Sequence, residues 1–165
     1  MLTNDVIIDA FKRIKEEVHD ATEGLSLEQL AFRPDKSANS IGWLVWHLTR
    51  IQDDHIAGTT NKPQVWNEDW RKQFKVPFAT TATGWGQTAA EVAQVQVETK
   101  LLLSYYDAVH TATVAYVKSL TEADYEVVVD KRWNPPVTLA VRLVSVISDD
   151  LQHVGQAAYI RGLLK

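Results

Sequence analysis

The chain has 165 residues, 45% of them hydrophobic and 23% charged, with a formal net charge of -4, a balance that fits one ordinary globular domain and excludes a disordered or fibrous class. The acidic balance, with basic clusters no longer than Lys12-Arg13 and Lys131-Arg132, argues against a nucleic-acid partner, which would need clustered cations to displace phosphate counterions. There is no cysteine, so any metal must be held by nitrogen and oxygen, and the protein supplies no thiol nucleophile of its own.

The opening stretch, MLTNDVIIDAFKRIKEE, lacks an apolar run of signal-peptide length, and no later run nears the roughly 18 apolar residues of a membrane span. The expected location is cytoplasmic, with no membrane partner. Thr3 or Asn4 is placed to cap a first helix whose residues Val6, Ile7, Ala10, Phe11, Ile14 and Val18 follow the 3.6 period, and Gly24 to end it. A turn of helix at Leu27 to Ala31 is then cut by Pro34. Ser40 opens helix two, IGWLVWHLTRIQDDHIAG, with Trp43, Leu44, His47, Leu48 and Ile51 on one stripe and Gly58 as its stop, about 17 residues by its cap signals. The connection from Thr59 to Gln87 carries three of the six tryptophans and two phenylalanines; a solvated linker would not, so packing as a lid or pocket wall is expected. Thr88 with Glu91 forms a capping-box pattern, from which helical periodicity continues, with a break near Gln96, through KLLLSYYDAVHTATVAYVKSL as helix three. A helical turn and a small strand at Val127 to Val129 precede helix four, which Thr138 starts and which runs to about Leu163. The expected fold class is all-α, a four-helix bundle with a long aromatic-rich connection between helices two and three, forming one domain over residues 1–165.

His47 lies in the middle of the helix-two stripe and points inward, either as a core histidine with a local hydrogen-bond partner or as a metal ligand. Asp54 and His55 lie two turns on and cannot share an ion with His47 on a regular helix; they read as a polar helix end at a cavity mouth. In helix four, SDDLQHVGQ places Asp149 and His153 at i and i+4, the spacing by which one helix offers two side chains to one ion. The same pair also makes an ordinary helical ion pair. A wheel that takes Leu143, Ile147, Val154 and Ala158 as the core direction puts Asp150 nearer the core than Asp149. Either acid joined to His47 and His153 gives two imidazoles and one carboxylate, a set suited to zinc or to another divalent first-row metal such as nickel, iron or manganese. His19 and His110 read as structural, and Tyr105 and Tyr106 as core and rim.

The segments NSIGWLVWHLTRIQDDH and SDDLQHVGQAAYIRGLL resemble the DinB-like superfamily of metal-binding four-helix bundles, over nearly the whole chain. That superfamily's pattern has one histidine in the second helix and a His or Glu four residues before a His in the fourth. The resemblance implies His47, Asp149 and His153 as the metal ligands, with Asp149 standing where the family has His or Glu. Being one methylene shorter than Glu, Asp149 would draw the ion nearer helix four. The resemblance also implies a zinc-first divalent metal, a homodimer, and a mycothiol-like low-molecular-weight thiol as co-substrate. The reaction implied is S-transfer to a small electrophile or its thiol-assisted isomerisation. A non-catalytic metal-binding or structural dimer, and a metal-dependent hydrolase with Asp54 or Asp150 as base, are the competing expectations.

Overall fold

The computed structural model describes residues 3–60 and 62–164. In chain order these form α1 (Thr3–Thr22), α2 (Leu27–Ala31), α3 (Ile41–Thr60), α4 (Glu68–Phe74), α5 (Ala89–Val92), α6 (Thr99–Lys118), a 3-10 turn (Glu122–Glu126), β1 (Val128–Asp130), β2 (Val137–Thr138) and α7 (Leu139–Leu163). The described residues are mostly helical, and β1 and β2 form a small antiparallel pair. α3 packs against α7 and α6, and α1 packs against the same two helices. Between them lies a core built from Phe11 and Ile14 of α1, Leu44 and Leu48 of α3, Leu102 of α6 and Leu143 of α7. No described helix is long and apolar enough to cross a membrane.

Several helix ends follow their sequence signals. α1 stops before Gly24, whose φ of 77° is the left-handed conformation that glycine adopts most readily. Thr138 caps α7 by accepting from the backbone of Val141. The Thr88–Glu91 box also closes, but around α5 alone; the chain then breaks and α6 begins at Thr99.

Other signals are put to different use. Thr3 and Asn4 lie inside α1, where Thr3 Oγ1 donates to Glu122 at 2.9 Å and Asn4 Nδ2 donates to the Leu120 carbonyl at 2.9 Å. They tie α1 to the 3-10 turn. Val6, expected in the core, is 52% exposed. Gly58 lies within α3, which extends to Thr60 because the hydroxyls of Thr59 and Thr60 donate back to the carbonyls of Ile56 and Ala57 and close the last turn. Along α7 the inward row is Leu143, Val146, Asp150, Val154, Ala157 and Ile160, and Ala158 is exposed. Tyr105 and Tyr106 are both fully buried, so Tyr106 is core and not rim.

The long connection is packed down, and its aromatic residues explain only part of that. Trp66, Trp70 and Phe74 surround Tyr105 with ring centroids at 5.0, 5.4 and 5.8 Å. Trp85 departs from the expectation and is 87% exposed. The rest of the attachment is polar and comes from α3. Arg50, fully buried, donates from Nη1 to Gln64 Oε1 at 2.8 Å, from Nε to the Ala82 carbonyl at 3.0 Å and from Nη2 to the Thr80 carbonyl at 3.3 Å. Asp53 accepts from the backbone of Val65 and Trp66, at 2.9 and 2.7 Å, and from the Tyr105 hydroxyl at 2.9 Å. Both arms of the connection are thus held by one face of one helix.

Candidate metal centre

α3 presents His47 one turn after Trp43, and the indole lies flat on the imidazole with ring centroids 4.6 Å apart and 15° between planes. α7 presents Asp149 and His153 from the facing side. One potential ligand atom from each of His47, Asp149 and His153 lies within 4.8 Å of the others. The two imidazoles meet edge to face, with centroids at 4.8 Å. His47 is buried, whereas Asp149 and His153 are half-buried, so the site is rooted in the core and opens outward.

The outer nitrogens of both rings are engaged. His47 Nδ1 donates to the Thr83 carbonyl at 2.5 Å, and His153 Nδ1 donates to Gln156 Oε1 at 3.3 Å. A backbone carbonyl can only accept, so the Thr83 contact selects the His47 tautomer with a free Nε2 lone pair; the Gln156 amide, with Oε1 turned toward His153, accommodates the same tautomer there. His153 Nε2 stands 3.7 Å from Asp149 Oδ1, beyond hydrogen-bonding distance. Asp149 Oδ2 is buried and has no hydrogen-bond partner among the described residues. Unpaired carboxylate oxygen and two free imidazole lone pairs are the chemistry a divalent cation satisfies, and on that ground the three residues fit one. Burial is the main influence on His47 and lowers its pKa; the nearby His153 acts in the same direction, against the Thr83 carbonyl and Asp149. The shift favours the neutral ring, the form in which a histidine binds metal.

Asp150 faces the other way. It is fully buried, and neither of its carboxyl oxygens finds a hydrogen-bond partner among the described residues. Burial, and after it the charge of Asp149, raise its pKa well above the ordinary carboxylate value. The wheel placed Asp150 correctly toward the core, and that placement keeps it out of the cluster formed by His47, Asp149 and His153.

The remaining polar candidates have local roles. Asp54 accepts from Gln64 at 2.8 Å and pairs with His55 at 3.3 Å. Both line a polar hollow of about 280 Å³ with Asp130 and Arg142, as expected of a helix end at a cavity mouth. His19 Nε2 sits 3.0 Å from Asp107 of α6, and His110 stacks on Tyr106.

Sequence reasoning missed the groups that surround the ligands. Thr83 contributes a backbone carbonyl, which has no side-chain signature. Gly84 has φ 99°, and a Cβ there would lie 2.6 Å from His47 Nδ1 and 3.1 Å from the Trp43 ring. The available signal was the Gly84-Trp85-Gly86 triplet, which marks a turn of unusual backbone. Gln87 accepts from Trp43 Nε1 at 2.7 Å. The end of the connection therefore forms a wall of the site, through its backbone and Gln87, while Trp66 and Trp70 pack around Tyr105 and Trp85 is exposed. On the other side, a largely apolar cleft of about 570 Å³ is lined by Pro34, Leu44, Gly155, Gln156 and Tyr159.

A family model described as mycothiol-S-transferase matches residues 6–165. The crystal structure of a conserved protein from Enterococcus faecalis superposes with a TM-score of 0.91 at 31% identity, covering 98% of this chain and 96% of that one. None of the curated proteins compared with the chain matches it.

Proposed function

The chain belongs to the mycothiol-S-transferase family, a DinB-like family, and from that premise we propose that it is a divalent-metal-dependent enzyme acting on a low-molecular-weight thiol of the mycothiol type. The thiol loses its S–H proton and its sulfur bonds to a small electrophile, either displacing a leaving group or adding across a strained ring or double bond, or it adds reversibly and leaves again to assist an isomerisation. In this reading residues 1–165 are one domain, α1, α3, α6 and α7 form a four-helix bundle, and His47, Asp149 and His153 hold the ion, zinc first.

The observation that carries the proposal is that ligand atoms of two imidazoles and one carboxylate, drawn from α3 and α7, lie within 4.8 Å of one another, and that the carboxylate keeps a buried oxygen with no hydrogen-bond partner among the described residues. When bound, the cation would supply positive charge that favours thiolate over thiol, and because the chain has no cysteine that thiol must come from the co-substrate. The protein's own part is to bind and exclude water. Trp43 shields one face of His47, and the apolar cleft beside Gln156 suits a small electrophile with little charge. A hydrolase would need a base near the ligands. Asp54 is two turns from His47 and engaged by Gln64, and Asp150 is sealed in the core, so the thiol reading is the better supported.

The test is metal content of protein purified without a histidine tag or added metal, followed by thiol consumption with a panel of electrophiles. His153→Ala should remove both metal and turnover while leaving the fold intact. A wild type that holds no divalent ion even after soaking would overturn the proposal. Metal retained without any thiol turnover would leave a non-catalytic bundle.

A further inference from the structure

His47 and Arg50 are three residues apart on α3 and hold the same segment of the long connection. His47 Nδ1 donates to the Thr83 carbonyl at 2.5 Å; Arg50 donates to the Ala82 carbonyl at 3.0 Å and the Thr80 carbonyl at 3.3 Å. The guanidinium is itself immobilised by Gln64 at 2.8 Å, by the Tyr105 hydroxyl at 3.3 Å and by the Asp53 carboxylate at 3.6 Å, and it lies over the Trp66 ring. A planar fork with acceptors on all three nitrogens has little freedom, so the backbone it grips is fixed as well. That backbone leads directly into the carbonyl that selects the His47 tautomer. Gly84 completes the fit, because only a residue without Cβ lets the segment come this close to the ring.

We propose that Arg50 is a positioning residue for His47: by clamping residues 80–82 it sets the Thr83 carbonyl, which holds the imidazole as its Nδ1–H tautomer with Nε2 directed at the candidate metal site. The inference rests on the reading of His47 as a ligand. It adds that the long connection is part of the site's tuning, tied to it through a buried charge that touches neither metal nor substrate. A purely structural Arg50 would support the connection without affecting the ring, so the two roles separate on readouts at His47.

The experiment compares wild type with Arg50→Lys, which keeps the charge beside Asp53 and loses the fork. Nitrogen NMR of the metal-free proteins reads the His47 tautomer, and titration with Co²⁺ against a chromophoric chelator reads affinity. The wild type is expected to show the Nδ1–H form and the Lys variant a mixture, with Co²⁺ affinity reduced roughly 10- to 100-fold, as for loss of other outer-sphere supports. A folded Lys variant with an unchanged tautomer and affinity would overturn the inference, as would a wild-type His47 carrying its proton on Nε2. Should the Lys variant not fold, the wild type decides. Coupling is reciprocal, so Co²⁺ must slow hydrogen exchange at the Arg50 Nε–H, and unchanged exchange sinks the idea. A wild type that takes up no Co²⁺ would refute the metal reading alone, and the tautomer measured without metal would still judge the positioning role.

Discussion

Asp149 and Asp150 are neighbours in sequence with opposite surroundings. Asp149 leans toward His153 and His47 with one oxygen unpaired; Asp150 is sealed beside Tyr106 with neither oxygen paired. Asp149→Ala should therefore abolish metal uptake. Asp150→Asn should keep it and, because asparagine has no proton to take up on burial at neutral pH, should raise urea stability at pH 7 and leave it little changed near pH 3. Elemental analysis of the two variants checks the first claim. Loss of metal in the Asn variant would return Asp150 to the site. The i, i+4 spacing made Asp149 and His153 legible together, and mid-stripe placement did the same for His47. Choosing between adjacent acids was harder, because successive helical residues differ by only about 100° and a wheel resolves direction no better than its apolar markers. Ala158, taken as such a marker, is exposed. The Thr83 carbonyl was illegible in principle, since every residue has one.

At the scale of elements, the α1–α6 contact carries a charged staple in which Asp107 meets Lys15 at 2.9 Å and His19 at 3.0 Å. Burial works to raise the Asp107 pKa, but the hydrogen bonds from His19 and Lys15 outweigh it and the net direction is down. The unfolded chain then takes up its proton first on acidification. The staple's contribution is complete above the ordinary carboxylate pKa and is lost as pH falls through that value toward the lower folded one. With the Asp107 side chain 39% exposed, solvent screening leaves about 0.5 kcal/mol. Asp107→Asn should lower urea stability by that amount near pH 7 and flatten the decline toward pH 3. An equal loss at both ends would refute the staple. At the start of α7, Thr138→Ala should cost about 1 kcal/mol by freeing the Val141 amide, read from the same unfolding curves. Caps of this kind were legible because their chemistry is local. Gly58 was misread for the complementary reason: glycine ends a helix where the chain turns left-handed, and Gly58 keeps a negative φ while two threonine hydroxyls close the turn behind it.

For the molecule as a whole, the presence and approximate bounds of the long helices were legible from apolar period, whereas the device that folds the long connection onto them was not. A sequence reader assigns arginine to the surface, and Arg50 is fully buried because backbone carbonyls, Gln64, Tyr105 and Asp53 converge on it from segments far apart in the chain. The same long-range convergence gives the metal reading a consequence beyond the site. His47 belongs to α3, while Asp149 and His153 belong to α7, so a bound ion would join two helices of the core and bind only the folded chain. Ligand linkage at a free-ion concentration a hundredfold above Kd adds about 2.7 kcal/mol, which for a chain of this size corresponds to a rise in Tm of roughly 5–11 °C. Differential scanning calorimetry with Zn²⁺, and again after chelation, should show that rise and its reversal. His47→Ala and Asp149→Ala should each abolish it, whatever their own effect on the metal-free Tm, because each removes a ligand from a different helix. A Tm that responds to Zn²⁺ equally in both variants would place the ion elsewhere and dissolve the link between α3 and α7.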